Sequence, residues 1–265
     1  MPRGNERIRP HLPRILLALS LALNALFVLG SVAVVLSMGG LPWLHRELAD
    51  VFPSLRRHEP PADYAHNMRS MFAQLPAGPD DILLLGDSIL DYGEWHEFLA
   101  NPHAKNRAIN GDYTCTILPR LDQITRGRPR HVVLLCGINN IQNGVPYAQT
   151  IREYARIVTT IASQSARTDL WLLPVLPVNT QLYRKWIVPG MDYLHTPTRE
   201  DVAALNGFIR TLAIDRPRIH FVDLPGLLDP TGELRQEYSS DGIHLNGRGL
   251  EQVALRLKQE LPPHD

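Results

Sequence analysis

Ile82-Leu83-Leu84-Leu85-Gly86-Asp87-Ser88 joins an uninterrupted apolar run to a Gly-Asp-Ser corner, and this junction decides how the rest of the chain is read. Four apolar residues with no polar alternate fit a strand buried on both faces, the habit of a parallel sheet. A serine at the point where such a strand ends and a helix begins has its hydroxyl exposed, and the free N–H groups of the helix face the same space. Alone, Gly-Asp-Ser also makes an ordinary turn and helix cap. Near the far end of the chain, Asp241-Gly242-Ile243-His244 supplies a carboxylate and a histidine, the other two parts of a hydrolytic triad.

Outward from the junction, strand and helix signals alternate. His131–Cys136, Leu170–Leu173 and Ile219–Val222 are further buried-strand runs, and a weaker strand is expected over Lys105–Ile109. Pro146 fits a first helical turn, with Ile151, Tyr154, Val158 and Ile161 following at helical spacing. Thr198 and Asp201 form a capping box ahead of Val202, Leu205, Ile209 and Leu212, and Leu250, Val253, Ala254 and Leu257 mark a closing helix. Such alternation predicts an α/β fold: five parallel strands covered by helices on both faces, with the site beyond the carboxyl ends of the strands.

The chain of 265 residues has room for one sizeable domain and an appendage. Its 27 Lys and Arg balance 27 Asp and Glu, and its aromatic residues are not interleaved with basic patches, so a nucleic-acid partner is not expected. Ile15 to Met38 carries no charge; as a helix its 24 residues would span about 36 Å, against roughly 30 Å of bilayer hydrocarbon. Arg3, Arg7, Arg9 and Arg14 precede it and Arg46, Arg56 and Arg57 follow, a slight bias toward an N-terminus inside. Ser31-Val32-Ala33 is a candidate signal-peptide cleavage site, but apolar residues run on to Met38, which favours an uncleaved anchor.

The organisation expected is therefore a short basic tail (1–14), a transmembrane signal-anchor (15–38), a Pro-rich connector (41–79) and the main domain (80–261). The connector carries helical candidates at Trp43–Val51 and Ala62–Gln74. The protein is expected to be single-pass, with its domain on the extracytoplasmic, periplasmic side. Cys115 and Cys136 lack metal-site spacing and read as two small buried hydrophobes, although a disulfide is open to them in an oxidising compartment.

Four blocks in order give the chain its resemblance to the SGNH hydrolases, a branch of the GDSL esterases and lipases. They are Ile82–Ser88; Asn106-Arg107-Ala108-Ile109-Asn110-Gly111-Asp112-Tyr113-Thr114; Gly137-Ile138-Asn139-Asn140; and Asp241-Gly242-Ile243-His244-Leu245-Asn246. The resemblance implies a flavodoxin-like three-layer α/β/α sandwich with no metal and no organic cofactor. It also implies Ser88 as nucleophile, His244 as base, Asp241 as its orienting carboxylate, and an oxyanion hole from the N–H groups of Ser88 and Gly111 and the Asn139 side chain. Chemistry agrees: an attacking serine needs a base, and the charge that builds on the carbonyl oxygen needs donors already in place. Asp87 reads as a structural carboxylate that holds the serine loop.

The chain departs from the family pattern at Asn140, where aspartate is usual and a supporting role is expected, at Tyr113 for threonine and at Ala108 for glycine. The last two are expected to narrow or re-line the pocket. Pro177–Pro197 is a long connection carrying Tyr183, Trp186, Tyr193 and His195 beside Arg184 and Lys185. It reads equally as a lid for sugar or acyl chain and as a loop packed down by its own aromatics. Trp95 and His96 either line the pocket or pack the first helix. Small-acyl or lipid esters, among them O-acetylated envelope sugars, are the expected substrates. An O-acyltransferase with the same triad and a catalytically silent scaffold are the alternatives.

Overall fold

Strand β1 (Ile82–Gly86) is buried at every position, and so is β3 (His131–Leu135), which explains why β1 is apolar throughout and β3 is apolar after His131. The computed structural model describes residues 12–37, 62–186 and 195–262. With β2 (Ala104–Asn106), β4 (Asp169–Leu172) and β5 (Ile219–Phe221), these strands form one parallel sheet in the order β2-β1-β3-β4-β5. Ile82 is in register with Ala104 on one side and His131 on the other. β2 is shorter than expected, because the chain leaves the sheet after Asn106.

Right-handed crossovers then fix the layers. The step from β1 to β2 runs one way, and the three later steps run the other. Helices in the later crossovers therefore share a face: α8 (Tyr147–Gln164) packs against both α6 (Leu121–Thr125) and α10 (Arg199–Thr211). The opposite face holds α4 (Trp95–Phe98) and the closing helix α11 (Gly247–Glu260), also in contact. The Thr198–Asp201 capping box opens α10 as predicted, whereas Pro146 stands one residue before α8 rather than in its first turn. The strand order reverses between β1 and β3. A switch point of this kind opens a crevice at the carboxyl ends of the strands.

Two short helices leave those ends, α3 (Ser88–Asp91) after β1 and α7 (Ile138–Gln142) after β3. A third, α5 (Thr114–Ile117), follows the turn beyond β2. The predicted Ala62–Gln74 helix is present as α2, and it packs on the sheet unit: Phe72 is buried, and the Arg107 guanidinium lies 4.9 Å over its ring. The chain consists of two compact units, Met1–Arg57 and His58–Asp265. In the first, α1 (Leu12–Ser37) is a single helix whose Leu17–Ser37 stretch reaches a mean hydropathy of 2.3 with none of it buried in the protein. Its polar side chains turn back on its own carbonyls: Asn24 Nδ2 donates to Ser20 O at 2.9 Å and Ser31 Oγ to Phe27 O at 2.9 Å. The expected Trp43–Val51 helix lies outside the described residues.

Several side chains settle readings left open by the sequence or depart from them. The Pro177–Pro197 connection is not one long loop, since Thr180–Trp186 forms α9; residues 187–194, with Tyr193, lie outside the described residues. Tyr183 is fully buried and accepts from Gln142 Nε2 at 2.7 Å, so it is core rather than lid. Trp95 is likewise buried and donates to Leu90 O at 2.7 Å, so it packs the first helix and does not line the pocket. Ala108 is wholly buried, so its methyl fills the core and does not line a pocket either. Cys136 is buried but Cys115 is exposed on α5, and both are free thiols.

Candidate active site

Asp87 caps α3: its Oδ1 accepts from Ile89 N–H at 3.1 Å, which bends the chain sharply after β1 and leaves Ser88 at the first helical position. An N–H there has no carbonyl of its own helix to meet. Asp87 is completely buried, and burial pushes its carboxyl up to about 7 despite the Ile89 N–H and the nearby charge of His244.

From the opposite end of the chain, the Asp241–His244 loop folds onto this corner. His244 Nε2 stands 3.0 Å from Ser88 Oγ, and His244 Nδ1 stands 2.6 Å from Asp241 Oδ2. The other Asp241 oxygen accepts from Ile243 N–H at 3.0 Å and His244 N–H at 2.9 Å, so one carboxylate shapes the loop and aims the imidazole. Burial alone would raise the Asp241 carboxyl. The hydrogen bond and charge of His244, with those two N–H groups, outweigh it and hold Asp241 at about 2. Gly242 has φ +89, and a Cβ there would sit 2.5 Å from Tyr183 N and 2.6 Å from Asn179 O. Only a glycine lets this loop lie flat on the start of α9, where Asn179 N–H also donates to Gly242 O at 2.7 Å.

The second and third blocks border the same crevice. Gly111 turns with φ +81 just before Asp112, whose carboxylate is held by Arg120 from Nε at 3.0 Å and Nη2 at 2.6 Å. Both partners are almost fully buried, a charge pair whose desolvation is offset by these charge-assisted bonds. Asn139 Nδ2 donates to Asp112 O at 2.9 Å, which ties α7 to the Gly111 turn. Among the described residues neither Ser88 N–H nor Gly111 N–H donates to a protein acceptor. Asn140 is buried behind Asn139 and faces Thr114.

The structure thus brings Ser88, His244 and Asp241 into one hydrogen-bonded row and sets Gly111 and Asn139 together beside it. Such a row can move a proton from a hydroxyl to an imidazole while a carboxylate steadies the ring. His96 takes no part: it is exposed on α4, between Glu94 and Glu97. Sequence reading missed Tyr92, whose ring centroid lies 5.2 Å from that of His244, and whose hydroxyl accepts from Asn110 Nδ2 at 2.8 Å. Its signal was present, since it lies four residues after Ser88 at helical spacing. Arg120 gave none, because nothing local distinguishes a buried arginine from a solvated one.

Residues 84–251 match the GDSL-like Lipase/Acylhydrolase family. Subunit alpha1 of platelet-activating factor acetylhydrolase IB from Homo sapiens is 26% identical over 184 residues, covering 67% of this chain and 73% of that protein. A Streptococcus pneumonia structure named for platelet activating factor superposes with a TM-score of 0.67 at 26% identity, covering 76% of this chain and 94% of that one. A GDSL-like lipase from Bacteroides thetaiotaomicron, at 20% identity, shares the fold with a TM-score of 0.60 over 74% of this chain and 95% of its own. Across the sheet, the serine corner and most of the span to the closing helix, the chain belongs to the GDSL-like lipase/acylhydrolase family and is an ester hydrolase of that family.

Proposed function

We propose that the protein is a membrane-anchored serine esterase acting on small-acyl esters, with acetyl esters of envelope sugars or lipids as its substrate class. The observation that carries the mechanism is the row Ser88 Oγ, His244 Nε2 at 3.0 Å, and His244 Nδ1 to Asp241 Oδ2 at 2.6 Å. Ser88 Oγ attacks the acyl carbon as His244 Nε2 takes its proton, and Asp241 stabilises the imidazolium that results. The oxyanion is met by the N–H groups of Ser88 and Gly111 and by the amide hydrogen of Asn139 not engaged by Asp112, each worth about 10²-fold in rate. The alcohol leaves with the proton from His244. Water, deprotonated by the same nitrogen, then releases the acid and restores Ser88.

The acetyl preference is supported by relatives named as acetylhydrolases. The anchor is supported by α1, which is long and apolar enough to cross a bilayer and whose Asn24, Ser31 and Ser37 side chains bond its own carbonyls, as polar groups in hydrocarbon must find a partner. In this reading residues 15–38 hold the protein in the membrane, 41–79 connect, with α2 of that stretch packed on the sheet unit, and the enzyme works on the extracytoplasmic side.

The test uses the full-length chain in detergent with p-nitrophenyl acetate and longer acyl esters, beside Ser88→Ala. The parent should hydrolyse the acetate best, and Ser88→Ala should lose about 10³-fold or more with its fold intact. Equal activity of the two would overturn the serine mechanism. A preference for long chains would overturn the acetyl assignment. Transfer of acetyl to an added sugar faster than to water would make the enzyme a transferase.

A further inference from the structure

Helix α2 precedes residues 84–251, the part that matches the family, yet its side chains reach both flanks of the Gly111 turn, one directly and one through Asp91. On one flank, Tyr64 Oη donates to Asp91 Oδ2 at 2.6 Å, and Asn110 N–H donates to the same oxygen at 2.9 Å. Asp91 ends α3, so a single carboxylate oxygen joins α2, the helix that begins with Ser88, and the residue before Gly111. On the other flank, Arg69 Nη2 reaches Asp112 Oδ1 at 3.3 Å, where Thr116 Oγ1 also donates at 2.9 Å. The helix is itself seated firmly, because Arg107 stacks over Phe72 and its Nη2 donates to Leu75 O at 3.0 Å.

We propose that Tyr64 and Arg69 are positioning residues, fixing the Asn110-Gly111-Asp112 turn so that the Gly111 N–H is presented to the oxyanion. The proposal rests on the assignment of Gly111 as an oxyanion donor made above. A glycine at positive φ has no side chain to lock it, so the turn keeps its place only through bonds made by its neighbours. Asp91 and Asp112 are those anchors, and each draws a donor from α2. A donor out of place costs the transition state far more than the ground state, because the charge it serves exists only during reaction. The signature is therefore a fall in kcat with KM unmoved. Neither residue touches the reacting atoms.

The experiment uses the full-length chain in detergent with p-nitrophenyl acetate, comparing Tyr64→Phe, Arg69→Met and Arg69→Lys with the parent. Tyr64→Phe and Arg69→Met should each lower kcat about five- to twentyfold with KM within about twofold, and weaken binding of a boronic acid analogue of the tetrahedral state in proportion. Arg69→Lys should recover part of the loss. Met71→Ala, exposed on the same helix, should change nothing. In an Asp91→Asn background, Tyr64→Phe should add less than about twofold, because Tyr64 acts through Asp91. The proposal is overturned if Tyr64→Phe and Arg69→Met keep kcat within about twofold, or if their losses follow a lowered thermal midpoint with boronate affinity unchanged. Ser88→Ala in the same assay separates the two levels. If it is inactive while Tyr64→Phe is normal, only the role of α2 falls; if it is fully active, the site assignment falls.

Discussion

The Asn140 side-chain amide donates to the Thr114 hydroxyl at 2.8 Å, and that hydroxyl hands its own hydrogen to Glu153 Oε2 at 2.5 Å. Thr114 N–H closes the link by donating to Asn140 Oδ1 at 3.2 Å. The directions are forced. A hydroxyl has one hydrogen, and a carboxylate at 153 can only accept it, so residue 140 must donate. An aspartate at position 140 cannot do this beside Glu153; asparagine can.

Asn140→Asp therefore sets two carboxylates against one hydroxyl hydrogen. It should cost about 1–3 kcal/mol of stability and lower kcat/KM about five- to tenfold, because Thr114 opens the helix beyond the Gly111 turn. Adding Glu153→Gln should restore most of both, since the Gln amide then donates and the hydroxyl turns to the new carboxylate at position 140. Thermal melts and kinetics of the single and double variants check this. A double variant no better than Asn140→Asp would refute the exchange.

Gly242→Ala tests how firmly the histidine loop is seated. A Cβ would meet backbone atoms of Tyr183 and Asn179 at 2.5 and 2.6 Å, and neither can swing aside as a side chain would. Loop and α9 must part, at a cost of about 2 kcal/mol or more with the strain at positive φ included. His244 moves with the loop, so hydrolysis of p-nitrophenyl acetate should fall at least about 10²-fold while the fold persists. Activity within tenfold of the parent would show that the loop adjusts freely.

How far the sequence carries depends on the distance over which a feature is determined. Ile82–Leu85 and His131–Leu135 announce themselves because burial on both faces leaves no room for polar residues. That Ser88, Asp241 and His244 would meet is legible because the serine sits at a strand end and the Asp-Gly-Ile-His block offers the base and carboxylate such a serine needs; Gly111 and Asn139 come into view only through the blocks around them. The roles of Asp91, Arg69 and Arg120 are not legible, because each is an ordinary charged residue until tertiary contacts supply its partner. Tyr183 stays open in the sequence for a related reason: an aromatic in a long connection can line a lid or pack down, and only α9 and Gln142, which enclose it, decide for packing.

Asp241 gives the fold an acid limit. Its carboxyl is held at about 2, below the ordinary 3.8, so its ionised form stabilises the native state fully above about pH 4. That contribution, about 2 kcal/mol, is lost as the pH falls from about 4 through 2. Thermal midpoints of the parent and Asp241→Asn should differ most near pH 5 and converge toward pH 2. A gap that stays constant over this range would mean that the carboxylate's charge adds nothing to stability.

Asp87 imposes the opposite dependence. Its Oδ1 serves Ile89, while its buried Oδ2 has no side-chain partner among the described residues. With the carboxyl raised to about 7 by burial, the folded chain keeps a proton that the unfolded chain releases near pH 4. The native state binds more protons across that interval, so stability drains away as the pH rises from about 4 to 7. Asparagine keeps an oxygen for Ile89 N–H and carries no charge to bury; its amide cannot accept from Gly137 N–H as the carboxylate does, a loss smaller than the cost of the buried charge. Asp87→Asn should thus raise the thermal midpoint by several degrees at pH 8 and leave it nearly unchanged at pH 4. Because Asp87 shapes the serine corner without meeting the substrate, kcat/KM at pH 8 should stay within about threefold of the parent. A loss of hundreds-fold with the fold intact would instead make Asp87 a participant in the proton transfer.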